Sequence, residues 1–378
     1  MNAPANTRSG WARRVLAAAA LVAASACEPR ATINAGDSSM TQGIINGAAC
    51  GPEVEPTAMA IMLDATISFG QGQGFDVTTV LCTGTLIAPD VVLLAAHCVD
   101  TSLLTGGLGE VTRADFYVTF DADLSAYAAQ SELGAEPLPV PQSAVLVRAA
   151  LGHPDFDIRA LEGGGLGTGG TGGTEHDIAL LFLEVPITTV QPEVVITASE
   201  AAQLSVGAAV DIAGWGQRGA AQDAPAGIKQ CGATTLDELG PALMQIGAAS
   251  ASIRKCRGDS GGPTYFTVDT AATVKRRVIG VTSRAYDESD CATGAVDTRV
   301  DAYLDFLDDA MTAGCADGDR AWCEVPGIVP ASFFEPAGEG EGEGEGKGEE
   351  PADDCSHVPV NGLFALSLVT LLARRRRR

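Results

Sequence analysis

The chain has 378 residues, 46% of them hydrophobic, enough for one large domain or two small ones. It carries 48 acidic against 24 basic residues, a net charge of −24. That balance argues against nucleic-acid binding, because a phosphate backbone is held by clustered Lys and Arg.

Residues 1–26 have the pattern of a secretion signal. Arg8, Arg13 and Arg14 form a basic start, VLAAAALVAASA an apolar run, and Ala24-Ser25-Ala26 a small-residue cleavage site. Cys27 follows directly, so two readings stand. One resembles a bacterial lipoprotein signal, in which this cysteine carries the lipid; the other is an ordinary signal peptide that precedes a cysteine. Residues 27–43 read as a propeptide or linker.

Residues 44–314 hold short runs rich in Val, Ile and Leu, broken by Gly, Pro and Asp. AMAIML (58–63), TTVLCTGTLIA (78–88), VVLLAAH (91–97), FYVTF (116–120), SAVLVRA (143–149), IALLFL (178–183), AAVDIAGW (208–215) and RVIGVTS (277–283) are examples. They predict the strands of an all-β barrel or sandwich. Residues 163–173, GGGLGTGGTGG, predict a loop. Val300, Leu304, Leu307 and Met311 lie at helical spacing in VDAYLDFLDDAMTA, which predicts a C-terminal helix over 300–313.

Beyond it, CADGDRAWC (315–323) reads as a small disulfide loop that leads through 337 into a linker. Residues 338–354 open with GEGEGEGEGKGEE, low-complexity, charged and with nothing to bury. The tail, 355–378, combines Cys355, the apolar run LFALSLVTLLA and five arginines. It resembles the C-terminal sorting signals of bacterial surface proteins, particularly the myxobacterial type; a plain anchor would give the same surface location. The expected location is therefore the exterior, the cell surface or the outer membrane of a bacterium, with membrane contact through the termini. Removing residues 1–26 and everything after Cys355 leaves 16 bases against 48 acids, a net charge of −32.

Ten cysteines in an exported chain predict disulfides. With Cys27 and Cys355 assigned to the terminal signals, eight remain, enough for four bridges, and spacing alone does not pair them. No CxxC pair and only four histidines argue against a structural metal, and no cofactor is expected.

The chemistry concentrates at GDSGGP, where glycines flank Ser260 and let the backbone take tight turns. LAAHC holds His97, EHDIALLFL holds Asp177, and IING opens the segment at Ile44. Together these motifs resemble the trypsin/chymotrypsin family of serine endopeptidases, over about Ile44 to Ala313. The resemblance implies a chymotrypsin-like fold of two β-barrels with a C-terminal helix. It implies protein or peptide substrates and peptide-bond hydrolysis through an acyl-enzyme. A serine hydroxyl is a poor nucleophile without a base beside it. His97 would take its proton, Asp177 would orient the imidazole, and the N–H groups of Gly258 and Ser260 would form the oxyanion hole. The resemblance also pairs Cys82 with Cys98, Cys256 with Cys291 and Cys50 with Cys231, leaving Cys315 with Cys323.

Family members gain activity by a cut before the Ile of the IING-like motif, whose freed amino group pairs with the Asp before the nucleophile. Here the pair would be Ile44 and Asp259. Gln42-Gly43 precedes the cut and no Lys or Arg lies between Arg30 and Ile44, so an activating protease of non-tryptic specificity is expected. His97 and Asp177 are 80 residues apart, more than is usual, and the excess includes the glycine run, a lid or an inert insertion. The chain between Cys231 and Cys256 is short and lacks the family's disulfide there.

Arg254 falls at the floor of the expected specificity pocket, with Arg284 and Ala295 on its wall and Asp297 near the floor. Three readings stand: an acidic preference through Arg254, small or apolar residues if Asp297 neutralises Arg254, and a basic preference if Arg254 points away. His153 reads as structural, His176 and His357 as exposed. A catalytically silent adhesion or binding module is the competing function, against which the intact Ser260, His97 and Asp177 argue.

Overall fold

The computed structural model describes residues 44–329, apart from 71–72, 104–108, 129–135, 162–164, 167–175, 220–223, 250, 270–273 and 288–290. The signal, linker and tail expectations, with Cys27, Cys355 and His357, lie outside the described residues.

Strands β2 (Ala58–Gly70), β3 (Gln73–Ala88), β4 (Val91–Leu94), β5 (Glu110–Thr119), β6 (Val145–Gly152) and β7 (Ala179–Leu183) close a six-stranded barrel. Its order is β2-β3-β4-β7-β6-β5, with β5 paired back onto β2. Strands β8 (Ala209–Gly214), β9 (Gln230–Leu239), β10 (Leu243–Ile246), β11 (Pro263–Asp269), β12 (Val274–Ala285) and β13 (Ala295–Arg299) form the second sheet. The β8–β9 pairing closes it into another six-stranded barrel, and the short β1 (Ala48–Ala49) lies along β9. The fold is the two-barrel, chymotrypsin-like one, and closure leaves few open sheet edges.

Burial follows the apolar runs. Along β2, Ala58–Leu63 is buried throughout, whereas beyond it Ala65 and Ile67 point inward and Asp64, Thr66 and Ser68 outward. The fully buried half serves two barrels at once. Ala58, Ala60 and Met62 share a core cluster with Leu124, Ala213, Trp215 and Cys231, which draws on both sheets. Packing across this seam holds the two barrels together.

The C-terminal helix differs in its ends from the expected 300–313. Val300–Tyr303 forms a 3-10 turn, and the α-helix (Leu304–Asp317; α2 here, after the single turn α1, Ser125–Ala128) runs four residues further. Leu307, Ala310, Met311 and Gly314 form its buried face. The helix thus carries Cys315 into its last turn, and the Cys315–Cys323 bridge folds the chain back. Residues 315–329 are no free linker. Arg320, with a side chain 0% exposed, is bonded to Asp90 at 2.9 Å, between β3 and β4, and also donates to carbonyls of Met311 and Pro326.

Candidate active site

His97 is placed by the end of a strand. β4 runs into a 3-10 turn, Ala96–Cys98, and Cys98 is bridged to Cys82 on β3. Asp177 stands just before β7, which pairs with β4, so adjacent strands bring the two residues together. His97 Nδ1 lies 2.8 Å from Asp177 Oδ2, and the His97 backbone N–H donates to Oδ1 at 2.9 Å. The Asp177 side chain is fully buried, and Ser283 Oγ donates to Oδ2 at 2.6 Å. Two-point attachment fixes both ring and carboxylate. Burial opposes charge on His97, yet the Asp177 charge and hydrogen bond outweigh it, and the His97 pKa is raised above 6.5. Its Nε2, 3.7 Å from Cys98 Sγ, is the nitrogen not committed to the carboxylate.

Ser260 sits in the turn between Cys256 and β11. Its carbonyl accepts the Thr83 N–H at 2.8 Å, and Gly261 N–H donates to Thr282 O at 2.7 Å. A Cβ at Gly261 would lie 2.4 Å from Thr83 O and 3.1 Å from the backbone nitrogen of Ala95, and its φ is +77°. Only glycine lets the turn lie this close to the strand leading to His97. Thr83, Ala95 and Thr282 therefore bring the Ser260 turn against the His97 and Asp177 elements. Among the described residues no hydrogen bond joins Ser260 Oγ to His97 Nε2, and the N–H groups of Gly258 and Ser260 have no acceptor. Gly258 has φ +90°.

Asp259 is fully buried. Its Oδ1 accepts the Gly216 N–H at 2.8 Å and its Oδ2 the Cys256 N–H at 2.9 Å. Burial, only partly offset by these bonds and by Lys255, pushes its pKa up to about 6. Ile44 is also fully buried, Ile45 O accepts the Arg254 N–H at 2.9 Å, and Ile45 packs on the Cys256–Cys291 bridge. The IING segment and the Asp259 turn are thus neighbours through Arg254–Cys256. Ile44 has φ +35°, a strained value for a β-branched residue.

Of the three pocket readings, the structure bears on the one that pairs Asp297 with Arg254. Asp297 does not neutralise Arg254; its Oδ2 bonds Lys255 Nζ at 2.7 Å, both side chains 0% exposed, and Thr264 Oγ1 donates to the same oxygen at 2.5 Å. Arg254 donates from Nε to Cys291 O at 2.8 Å and from a terminal nitrogen to Ala249 O at 3.5 Å. Arg284 donates to Gly165 O at 2.9 Å, and Ala295 is buried in β13 opposite Ala285. Lys255 and Ser283 escaped the sequence reading. Their signals were the lysine between Arg254 and Cys256 and the serine ending RVIGVTS.

The disulfides are Cys50–Cys231, Cys82–Cys98 and Cys256–Cys291, the pairs the resemblance implies, and Cys315–Cys323, the pair it leaves over. Cys82, Cys98 and His97 bring metal-ligand atom types within 4.8 Å of one another, but both sulfurs are spent in a bridge. His176 is not exposed as expected. It is half-buried and stacks on His153 with ring centroids 4.5 Å apart, because Tyr303 presents its edge to both rings.

The family model described as Trypsin matches residues 50–307. Serine protease 56 of Mus musculus is 29% identical over 247 residues, which cover 62% of this chain and 35% of that protein. Serine protease 56 of Homo sapiens is 28% identical over 250 residues, with the same coverage. The chain thus spans about a third of the length of these relatives.

Proposed function

Because the chain belongs to the trypsin family, we propose that it is a serine endopeptidase that hydrolyses peptide bonds through an acyl-enzyme. The observation that carries this reading is the His97–Asp177 bond with Asp177 fully enclosed. It commits Nδ1 as donor and leaves Nε2 as the acceptor for a hydroxyl proton. Ser260 Oγ attacks the substrate carbonyl as His97 Nε2 removes its proton. The tetrahedral oxyanion is held by the unengaged N–H groups of Gly258 and Ser260. His97 then gives the proton to the leaving amine. Water repeats the sequence and frees the second product.

We place activation at Gly43–Ile44, supported by the burial of Ile44 beside the Asp259 turn and by the raised pKa of Asp259. An ammonium there would supply the charge that this carboxylate lacks. Asp297 is held by Lys255 and Asp259 is enclosed, so neither acid is available to a substrate Lys or Arg. That arrangement favours cleavage after other residues. Four disulfides suit an oxidising compartment, which supports export, with surface attachment through the terminal segments.

The test is labelling by a fluorophosphonate before and after a mild activating cut. Labelling that disappears in Ser260→Ala, with circular dichroism unchanged, is the expected result. Equal labelling of both proteins overturns the assignment, and none in either leaves the binding-module reading.

A further inference from the structure

The approach to Asp177 is held by rings. Its carboxylate is bonded to His97 and Ser283, and its backbone carbonyl accepts from Thr298 Oγ1 at 3.0 Å. The residue before it, His176, has φ +49°, a left-handed value that a non-glycine residue keeps only where its surroundings fix it. His153 is part of those surroundings. Its backbone N–H donates to Ile178 O at 2.9 Å, one residue past Asp177. Its ring lies 4.5 Å from the His176 ring, and the two planes are within 19° of parallel. Tyr303 meets both rings edge-on, and Phe306 leans on His153 at 4.7 Å. The four rings come from three elements: the end of β6, the entry to β7, and the turn that leads into α2.

This stack suits one charge better than two. His153 Nδ1 accepts the Asp155 N–H at 3.2 Å, a bond that a proton on Nδ1 would break. Burial and the neighbouring His176 hold the His153 pKa below 6.5, against the pull of Asp155. Among the other acids on these elements, Asp177 is bonded to His97 and Ser283, Asp157 to Arg159 and Asp301 to Arg299, while Asp305 is exposed. A second charge 4.5 Å from the first is disfavoured about five- to several-hundred-fold while the rings stay stacked. Rings that have moved apart into water take both protons without that penalty, so acid favours separation.

We infer that His153 and His176 are positioning residues for Asp177: with at most one charge the pair seats the carboxylate, and a second proton parts the rings and withdraws Asp177 from His97. The inference rests on the protease reading. Catalysis then fails in acid more steeply than the titration of His97 alone requires.

Two measurements test it, each on the parent and on two variants. His153→Phe keeps a stacked ring without its charge, and His176→Asn suits the positive φ. If the first does not fold, by circular dichroism, the second decides alone. One measurement is log kcat/KM of the activated protein against pH. In the parent it should fall with a slope of about one as His97 is protonated, then steepen to about two at about one to two pH units lower. Each variant should keep the single slope. One pH unit below the parent's break it should retain about tenfold more of its neutral-pH activity than the parent does. A parent with no break, or variants that share it, overturn the inference. The other measurement is the proton NMR signal of the His97 Nδ1–H bonded to Asp177, followed in uncut protein, which needs no activity. It should vanish from the parent about one to two pH units below 6.5 and persist in the variants. Loss at one pH in all three proteins overturns the inference even if no peptide is cleaved.

Discussion

Lys255→Met tests the buried charge pair beneath the Ser260 turn. The substitution keeps most of the volume and removes an ammonium that is 0% exposed and bonded to Asp297 Oδ2 and Thr264 Oγ1, both at 2.7 Å. Asp297 is then left as an enclosed carboxylate whose Oδ1 already lacks a partner and whose Oδ2 keeps only Thr264. Breaking such a pair from one side costs about 3–5 kcal/mol, because the stranded charge cannot be rehydrated. For a domain of this size that is a fall of roughly 10 °C in Tm. Lys255→Met/Asp297→Asn removes the charge as well as its partner, and Asn can still accept from Thr264. It should recover all but about 1–2 kcal/mol. Urea titration at neutral pH with disulfides intact measures both. A single variant within about 1 kcal/mol of the parent refutes the reasoning, and so does a double variant weaker than the single.

Arg320→Ala should cost about 3–5 kcal/mol by the same physics, since it strands the fully buried Asp90; urea midpoints check it. The acid limb of kcat/KM should titrate above pH 6.5, because His97 must be neutral to act as base and its pKa is raised; a limb centred below that value contradicts the assignment. In the uncut chain Asp259 has a folded pKa of about 6, above its unfolded value near 3.8. Its contribution is therefore complete below pH 3.8 and lost as pH rises through 6, about 3 kcal/mol in all and about 1 between pH 5 and 8. Cutting at Gly43–Ile44 should abolish that loss, which denaturation of cut and uncut protein at both pH values will show.

β2 to β8 and β12 were legible because each carries a short aliphatic run stopped by Gly, Pro or Asp, whereas β9 (QCGATTLDEL) and β13 (AVDTR) are too polar to announce themselves and, with β10 and β11, were not singled out. The GDSGGP turn was equally local. The buried ion pairs were not. Lys255 and Asp297 lie 42 residues apart, and Asp90 and Arg320 lie 230 apart, so only the closed sheets reveal them as partners. One of the three pocket readings set Asp297 against Arg254 because both were assigned to one pocket. Asp297 is bonded to Lys255 instead, while the backbone carbonyls of Cys291 and Ala249, invisible in a list of side chains, accept from Arg254. His176 misled for a similar reason: its ring partners are His153, just past the end of β6, and Tyr303, far away in sequence.

The Cys50–Cys231 bridge also sets a leash. It ties the chain to β9 six residues after Ile44, so an end freed there could stray no more than about 20 Å from its anchor. Confinement to that volume amounts to an effective concentration in the millimolar range or above. Insertion beside Asp259 would then be an intramolecular search, independent of protein concentration, and no free peptide would need to be captured. Reduction of this one bridge would lengthen the search without altering the destination, and would make activation slower to complete and easier to reverse.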